Sequence, residues 1–241
     1  MGFKRKIKTY IKSNKLMYAI LKKPLKYRFN RKMQWKRDAI KNYGIECLLL
    51  MKESFKEHKQ EFWLDYGTLL GAVREKDFIE HDLDMDLGTF NVSEEKKRAL
   101  EKTLNGKGIK TLREFRINGN IVEQTFTYKE AHIDIFYYYR LEETQKIWCY
   151  FFEETDNMIK KENGNNKIVT GWKAKTATST FLGVNEIEFK GEKFPSPINI
   201  EQYLVENYGP NFMIKDDEWD YANSGNNIQA IEVNGIKAIY K

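Results

Sequence analysis

Apolar and polar positions change period several times along the chain. In the first 29 residues, "MGFKRKIKTYIKSNKLMYAILKKPLKYRF", Phe3, Ile7, Tyr10, Ile11, Met17, Tyr18 and Leu21 recur at helical spacing between lysines. This predicts an amphipathic helix that Pro24 ends or kinks. Residues 35–60 predict a second helix, with Ile40, Tyr43, Leu48, Met51 and Phe55 on one side. "FWLDY" (62–66) reads as a short strand, "TLLGAVREK" (68–76) as a helix opened by Gly67 and Thr68, and "LDMDL" (83–87) as a strand. Ser93 before "EEKKRALEKTL" is an N-cap followed by acids suited to the positive end of a helix. "IKTLREFRI" and "IVEQTFTY" flank Asn118-Gly119-Asn120, a hairpin signal, and "AHIDIFYYY" (131–139) is a further strand. Beyond it the period weakens as far as "INIEQYLVENYG", a helix stopped by Gly209 and Pro210. Residues 157–171, "NMIKKENGNNKIVTG", predict a flexible loop. The composite is an α+β fold: a mixed sheet with helices on at least one face, forming a single domain over 38–241 behind an arm, 1–37.

Charge sharpens the division between arm and body. The 241 residues carry a net charge of +6, yet 14 Lys and Arg and no acid fall within residues 1–37. The remainder holds 27 basic residues against all 35 acids. An acidic body repels a long polyanion and no RNA-binding motif is visible, so no nucleic-acid partner is expected. The basic arm suits an anionic membrane surface, each basic residue contributing about 1 kcal/mol there; alternatively its apolar side packs on the acidic body. Cys47 and Cys149 sit in apolar stretches and read as reduced core thiols. His58, His81 and His132 are scattered, with no zinc-binding cluster. No run is apolar enough to span a bilayer and no signal-peptide pattern opens the chain, while Lys6 stands where a myristoylation motif needs Ser or Thr. The expected location is cytoplasmic, peripheral at the inner membrane face.

The chemistry concentrates in "GTLLGAVREKDFIEHDLDMDLG", residues 67–88. Asp82, Asp84 and Asp86 alternate with Leu83, Met85 and Leu87, and alternate residues of a strand share a face. Three carboxylates side by side repel one another unless a cation lies among them. Hard oxygen ligands suit Mg2+ or Mn2+, with substrate phosphates completing the shell. The other use of such a pattern is an edge strand that deters aggregation by showing acids to solvent. Two features favour the cation. Gly67-Thr68 opens a helix after a strand, where backbone N–H groups receive phosphate. Asp134, in "HIDIF", is an acid between two isoleucines, placed to join the metal or to take a proton from an attacking hydroxyl.

The order strand, Gly-Thr helix, strand with Asp-x-Asp, later strand with one Asp resembles the nucleotidyltransferase superfamily. Residues 67–88 are similar to the signature of its LicD and fukutin branch of phosphotransferases. "HIDIF" resembles that branch's downstream Asp-Ile-Phe strand, and "YLVENYGP" with "EWDYANSGNNIQ" its fukutin-type tail. Leu83 separates Asp82 from Asp84 where many members have consecutive acids, which leaves open whether Asp82 binds metal and preserves the Asp84–Asp86 pair. The resemblance implies transfer of a phospho-substituent, of phosphocholine or phospho-alditol type, from a CDP-linked donor to a sugar hydroxyl, with release of CMP. The acceptor would be a cell-surface glycan, free or lipid-linked. Asp84 and Asp86 would hold Mg2+ or Mn2+ on the donor diphosphate, and Asp134 would share the metal or act as base. Gly67 and Thr68 would offer N–H groups to the diphosphate. Arg74 would complete the clamp, or else pair with Glu75 or Glu80 at the surface. Asp65 would touch the donor or stabilise the turn. Trp172, Lys173 and Lys175 would bind donor or acceptor, or else be a core Trp with solvated lysines, the expected outcome; Trp219 is expected to pack, with Asp220 undecided. The rival activities are transfer of the nucleotide itself to a protein, an RNA or a small molecule, and non-catalytic binding of membrane or nucleic acid through the arm.

Overall fold

A computed structural model describes residues 15–215, 225 and 227–241, with side chains from residue 27 onward. Helix α1, Lys15–Glu57, joins the two helices expected from the pattern. Pro24, expected to end or kink a helix, lies within it. A proline removes one backbone hydrogen bond, and the Lys, Leu, Arg and Met residues around it favour helix strongly enough to carry the backbone across. Residues 1–14 of the expected arm fall outside the described residues. The second half of α1 buries Ile40, Cys47, Leu48, Met51 and Phe55. Tyr43, which spacing put on the same side, is exposed, with the Lys129 ammonium 4.8 Å from its ring centre.

β1 (Phe62–Leu64), α2 (Tyr66–Arg74) and β2 (Met85–Phe90) follow, with β1 antiparallel to β2. The expected strand at "LDMDL" therefore begins only at Met85, and Asp82 lies in the turn before it. α3 (Glu94–Gly106) is capped by Ser93. β3 (Lys110–Ile117) and β4 (Asn120–Tyr128) form the expected hairpin, Ile117 opposite Asn120. Both turn residues have positive φ, 50° at Asn118 and 92° at Gly119, as a two-residue turn matched to strand twist requires. β5 (Ala131–Arg140) and β6 (Lys146–Glu153) come next.

The stretch expected to be a loop is a second hairpin, β7 (Ile159–Asn163) and β8 (Asn166–Thr170). Its outer strand is exposed throughout, so no apolar alternation marked it. Its backbone pairing is completed through β8, which lies against β13. β9 (Lys173–Thr180), a separate hairpin of β10 (Val184–Phe189) with β11 (Glu192–Pro197), α4 (Ile200–Tyr208), β12 (Ile228–Ile231) and β13 (Ile236–Tyr240) complete the described chain.

Eleven strands make one curled sheet, ordered β12-β9-β6-β5-β4-β3-β13-β8-β7, with β2 and β1 branching from β5. Only β2–β5 is parallel among the pairings of this sheet in the described residues. The main core lies on one face, where α1 packs on β5 and α3 on α1 and β3. A smaller core fills the curl, where Phe152 of β6 stacks on Phe115 of β3 at 4.1 Å and Trp172 meets the same ring edge-on. No helix among the described residues is long and apolar enough to cross a membrane.

Candidate active site

The site forms where the sheet forks. β5 pairs with β4 along one edge; along the other, β2 runs parallel to residues 133–138 before β6 takes over at Tyr139 and Arg140. In that parallel register Asp86 stands directly opposite Asp134. Neighbouring strands lie about 4.8 Å apart, so the two carboxyls leave the same face into one space. On the other face Met85 and Leu87 pair with Ile133 and Ile135, all fully buried. Asp84, two residues ahead of Asp86 and just before the strand, is solvent-exposed at the mouth.

The first turn of α2 holds Asp86 from two sides. The Gly67 N–H donates to Asp86 Oδ2 at 3.1 Å, and Thr68 Oγ1 accepts the Asp86 N–H at 2.8 Å. A Cβ on residue 67 would sit 2.5 Å from Asp82 Oδ2 and 3.4 Å from Asp86 Oδ2, so glycine is what lets these acids close in. In this conformation Gly67 directs its N–H to Asp86, where the sequence led us to expect it to face a phosphate. Asp65 is the N-cap of α2: it is fully buried and accepts from Tyr66 N (2.9 Å), Tyr138 Oη (2.7 Å) and Tyr203 Oη (2.9 Å). Of its two expected roles it takes the turn-stabilising one.

Opposite Asp134 on β4 is Thr125, and opposite Thr125 on β3 is Arg113. Arg113 Nη2 donates to Glu123 Oε1 and Thr125 Oγ1, both at 2.9 Å, and lies 4.0 Å from Asp134 Oδ2. Arg113 Nε and Asp134 Oδ1 are buried without a hydrogen-bond partner. From α1, Lys36 Nζ comes within 3.2 Å of His132 Nδ1 on β5, the same face as Asp134. At the far side Arg74 Nε pairs with Glu75 at 3.0 Å and its Nη1 donates to Phe212 O, while its charge also acts on Asp82.

Negative charge is crowded here. Burial, then Asp84, Asp134 and Asp82, hold the Asp86 carboxyl well above the usual range. Asp84 keeps an open side to solvent, but the protein packed around the cleft mouth, then Asp134 and Asp82, push its carboxyl up to about 7. Burial raises Asp82 to about 6, Arg74 opposing. Burial also raises Glu123, to about 8, and Asp134, in both cases against Arg113. His132 is pushed down to about 4 by burial and by Lys36 and Arg113, so it is neutral at neutral pH. Lys36 is lowered by burial while Asp84 and Asp134 pull the other way. Burial raises Tyr208, at the end of α4, with Asp86 and Asp82 next in effect.

Among the described residues no three His, Cys, Asp or Glu side chains are grouped so that they could hold a metal ion by themselves. The donor set instead fits a hard divalent ion held by one or two carboxylates and completed by phosphate oxygens. The orphaned Asp134 Oδ1 and the unrelieved repulsion among Asp84, Asp86 and Asp134 are what such an ion would satisfy.

The structure thus brings together Gly67, Thr68, Asp84, Asp86 and Asp134, with Asp82 and Arg74 at the rim. Sequence reading missed Arg113, Glu123, Thr125, Lys36, His132 and Tyr208. The Asn118-Gly119 turn sets Ile117 opposite Asn120, but a bulge at Phe115 and Arg116 shifts the pairing by one residue before Arg113 meets Thr125, so the turn signal alone would have placed Arg113 opposite Gln124. Trp172 packs as expected, donating to Val169 O at 3.1 Å, and Lys173 is exposed; Lys175, expected to be solvated, is instead buried, its ammonium satisfied by Glu153 at 2.7 Å. Trp219 and Asp220 lie outside the described residues.

Residues 59–199 match a family described as LicD/FKTN/FKRP, nucleotidyltransferase domain. The chain is 29% identical over 199 residues to ribitol-5-phosphate transferase FKTN of Macaca fascicularis, and 28% over 199 residues to that of Homo sapiens. Each match covers 82% of this chain and 38% of the relative. The Mus musculus protein of the same name is 29% identical over 192 residues, 79% of this chain and 37% of its own length. The chain therefore spans about two fifths of the length of the curated relatives it matches.

Proposed function

The chain belongs to the LicD/FKTN/FKRP nucleotidyltransferase-domain family, and from that premise we propose that it is a phosphotransferase acting on a CDP-linked donor and a sugar hydroxyl. The observation that carries this reading is the parallel register placing Asp86 against Asp134, with Gly67 closing the space beside them. The transferred group is a phospho-substituent. The name ribitol-5-phosphate transferase borne by the relatives favours a phospho-alditol over phosphocholine. The acceptor is a hydroxyl of a cell-surface glycan, free or lipid-linked.

One or two of Asp84, Asp86 and Asp134 at a time, completed by donor phosphate oxygens, would hold Mg2+ or Mn2+, which when bound screens the donor diphosphate and stabilises the departing phosphate. Gly67 holds the Asp86 carboxyl through its N–H, Thr68 holds the Asp86 backbone N–H, and the absent Cβ at residue 67 lets Asp82 and Asp86 close in where the diphosphate would bind. Arg74 and Lys36 flank the acids and provide positive charge for phosphate oxygens. The acceptor oxygen bonds to the phosphorus bearing the alditol, the bond to the bridging oxygen breaks, and CMP departs. The acceptor proton passes to a carboxylate, a role we assign to Asp134, whose neighbours are Thr125 and Arg113.

Thermal melts with CDP, UDP, GDP and ADP, with and without magnesium, test the reading. A ligand at a hundredfold excess over its dissociation constant stabilises the native state by about 2.7 kcal/mol. The expected result is a magnesium-dependent shift with CDP that vanishes in Asp84→Asn and Asp86→Asn. A shift with ADP or GDP alone, or pyrophosphate released in place of CMP on turnover, would move the assignment to nucleotide transfer.

A further inference from the structure

From residue 27 onward the first fully buried side chains of α1 are Ala39 and Ile40; residues 27–32, 34 and 35 are exposed, with Met33, Lys36 and Arg37 half-buried. The exposed positions carry three large aromatic side chains in solvent: Tyr27 (67% exposed), Phe29 (60%) and Trp35 (63%). Residues four apart lie in line along a helix. Tyr27, Arg31 and Trp35 make one row, and Arg28, Lys32 and Lys36 the row beside it, while Phe29 lies about 200° round the helix from Tyr27, off this face. The first row is aromatic with a basic residue between; the second is basic throughout and runs down to Lys36, whose ammonium reaches His132 next to the acids.

We propose that residues 27–35 of α1 are a docking surface for an anionic lipid bilayer, which sets the mouth of the acid cleft at the membrane to receive a lipid-anchored acceptor. The second clause rests on the phosphotransfer reading; the docking surface does not. Aromatic rings flanked by Arg and Lys match the membrane interface, where the rings enter the headgroup layer and the cations meet anionic lipid. Residues 27–37 hold five basic residues and no acid, so a second copy of the same face would bring like charges together. A long nucleic acid lying along these rows would meet the acid cleft at their end, whereas a bilayer touches the helix alone.

Co-sedimentation of the full chain with phosphatidylcholine vesicles, with and without phosphatidylglycerol and at low and high salt, tests this. Binding is expected only with phosphatidylglycerol and is weakened by salt. Each basic residue near the surface multiplies partitioning by about fivefold, so Arg28→Gln with Arg31→Gln should lower it by about 30-fold. Tyr27→Ser with Trp35→Ser should remove most of what remains. Both variants should melt as the unaltered chain does and keep the magnesium-dependent CDP shift. The surface is refuted if the chain ignores anionic vesicles, or if both variants bind them undiminished. It is equally refuted if the variants lose RNA binding or self-association while vesicle binding stays. Vesicle binding that the variants lose, in a protein with no CDP shift, would keep the surface and sink the phosphotransfer reading.

Discussion

Replacing Gly67 by alanine separates the folding role of the α2 turn from its role in the site. Gly67 is helical and has no left-handed φ, so alanine suits its backbone and by propensity favours the helix by about 1 kcal/mol. The new methyl, however, would lie 2.5 Å from Asp82 Oδ2, roughly 1 Å inside ordinary contact. Asp82 is the end of a movable side chain in a turn, so it yields before the helix does. The melting temperature should therefore change by no more than about 3 °C. The cost falls on the chemistry: Asp82 is displaced by about 1 Å and the room beside Asp86 is filled, and a misplacement of that size costs about 100-fold in rate. The assay is the initial rate of CMP release, with the magnesium-dependent CDP melt beside it. Adding Asp82→Ala removes the obstruction. Recovery to the level of Asp82→Ala alone assigns the loss to the clash; no recovery assigns it to the methyl occupying donor space. Gly67→Ala with a rate within about threefold of the unaltered chain would refute the placement of the donor over this turn. A fall in melting temperature beyond about 10 °C would instead show the glycine to be structural.

Asp86→Asn should lower turnover by about 10²–10³-fold while raising the melting temperature. Asparagine can still accept the Gly67 N–H and sheds the repulsion from Asp84 and Asp134; an unchanged or lower melting temperature would contradict that account. Glu114 of β3 is 1% exposed and paired with Arg98, Arg116 and Lys241, and these partners overcome the opposing effect of burial to hold it down at about 2, against 4.5 when unfolded. A depressed carboxyl contributes stability above the unfolded value and loses it as pH falls through the folded one. Denaturant unfolding should therefore show the chain more stable than Glu114→Gln by about 3 kcal/mol at pH 6, the gap closing between about pH 4.5 and 2. A gap independent of pH would mean that packing, not charge, accounts for it.

The legible parts of this protein are those where one local rule acts alone. Asn118-Gly119 gave a hairpin because both residues accept positive φ, and Ser93 began a helix because a hydroxyl there satisfies an N–H. Asp134 stood out because an acid between Ile133 and Ile135 has no reason to be there for the core. Elements set by partners far along the chain were hidden. The exposed β7 has no apolar alternation and is defined by its pairing to β8, which in turn lies on β13 some 70 residues later. Arg113 reads as one more surface cation until β3 is laid beside β4, and Lys36 as part of a basic run until α1 is seen to cross β5. Alternation correctly put Asp84 and Asp86 together but extended the strand too far, because the turn holding Asp82 has the same local spacing.

The site is held against its own repulsion by the opposite face of the same two strands. Like charges directly opposite in a ladder are destabilising, and Asp86 against Asp134 is such a pair, with Asp84 and Glu123 close by. Arg113 and Lys36 offset only part of that charge. What keeps the register is the alternate set, Met85 on Ile133 and Leu87 on Ile135, every one fully buried. A slip of one residue would bury Asp86 in that core and expose both leucine and isoleucine, a far larger penalty than the repulsion. The acids can be forced together because moving either strand costs more, and the repulsion then remains available to be relieved by whatever cation and phosphate enter between them.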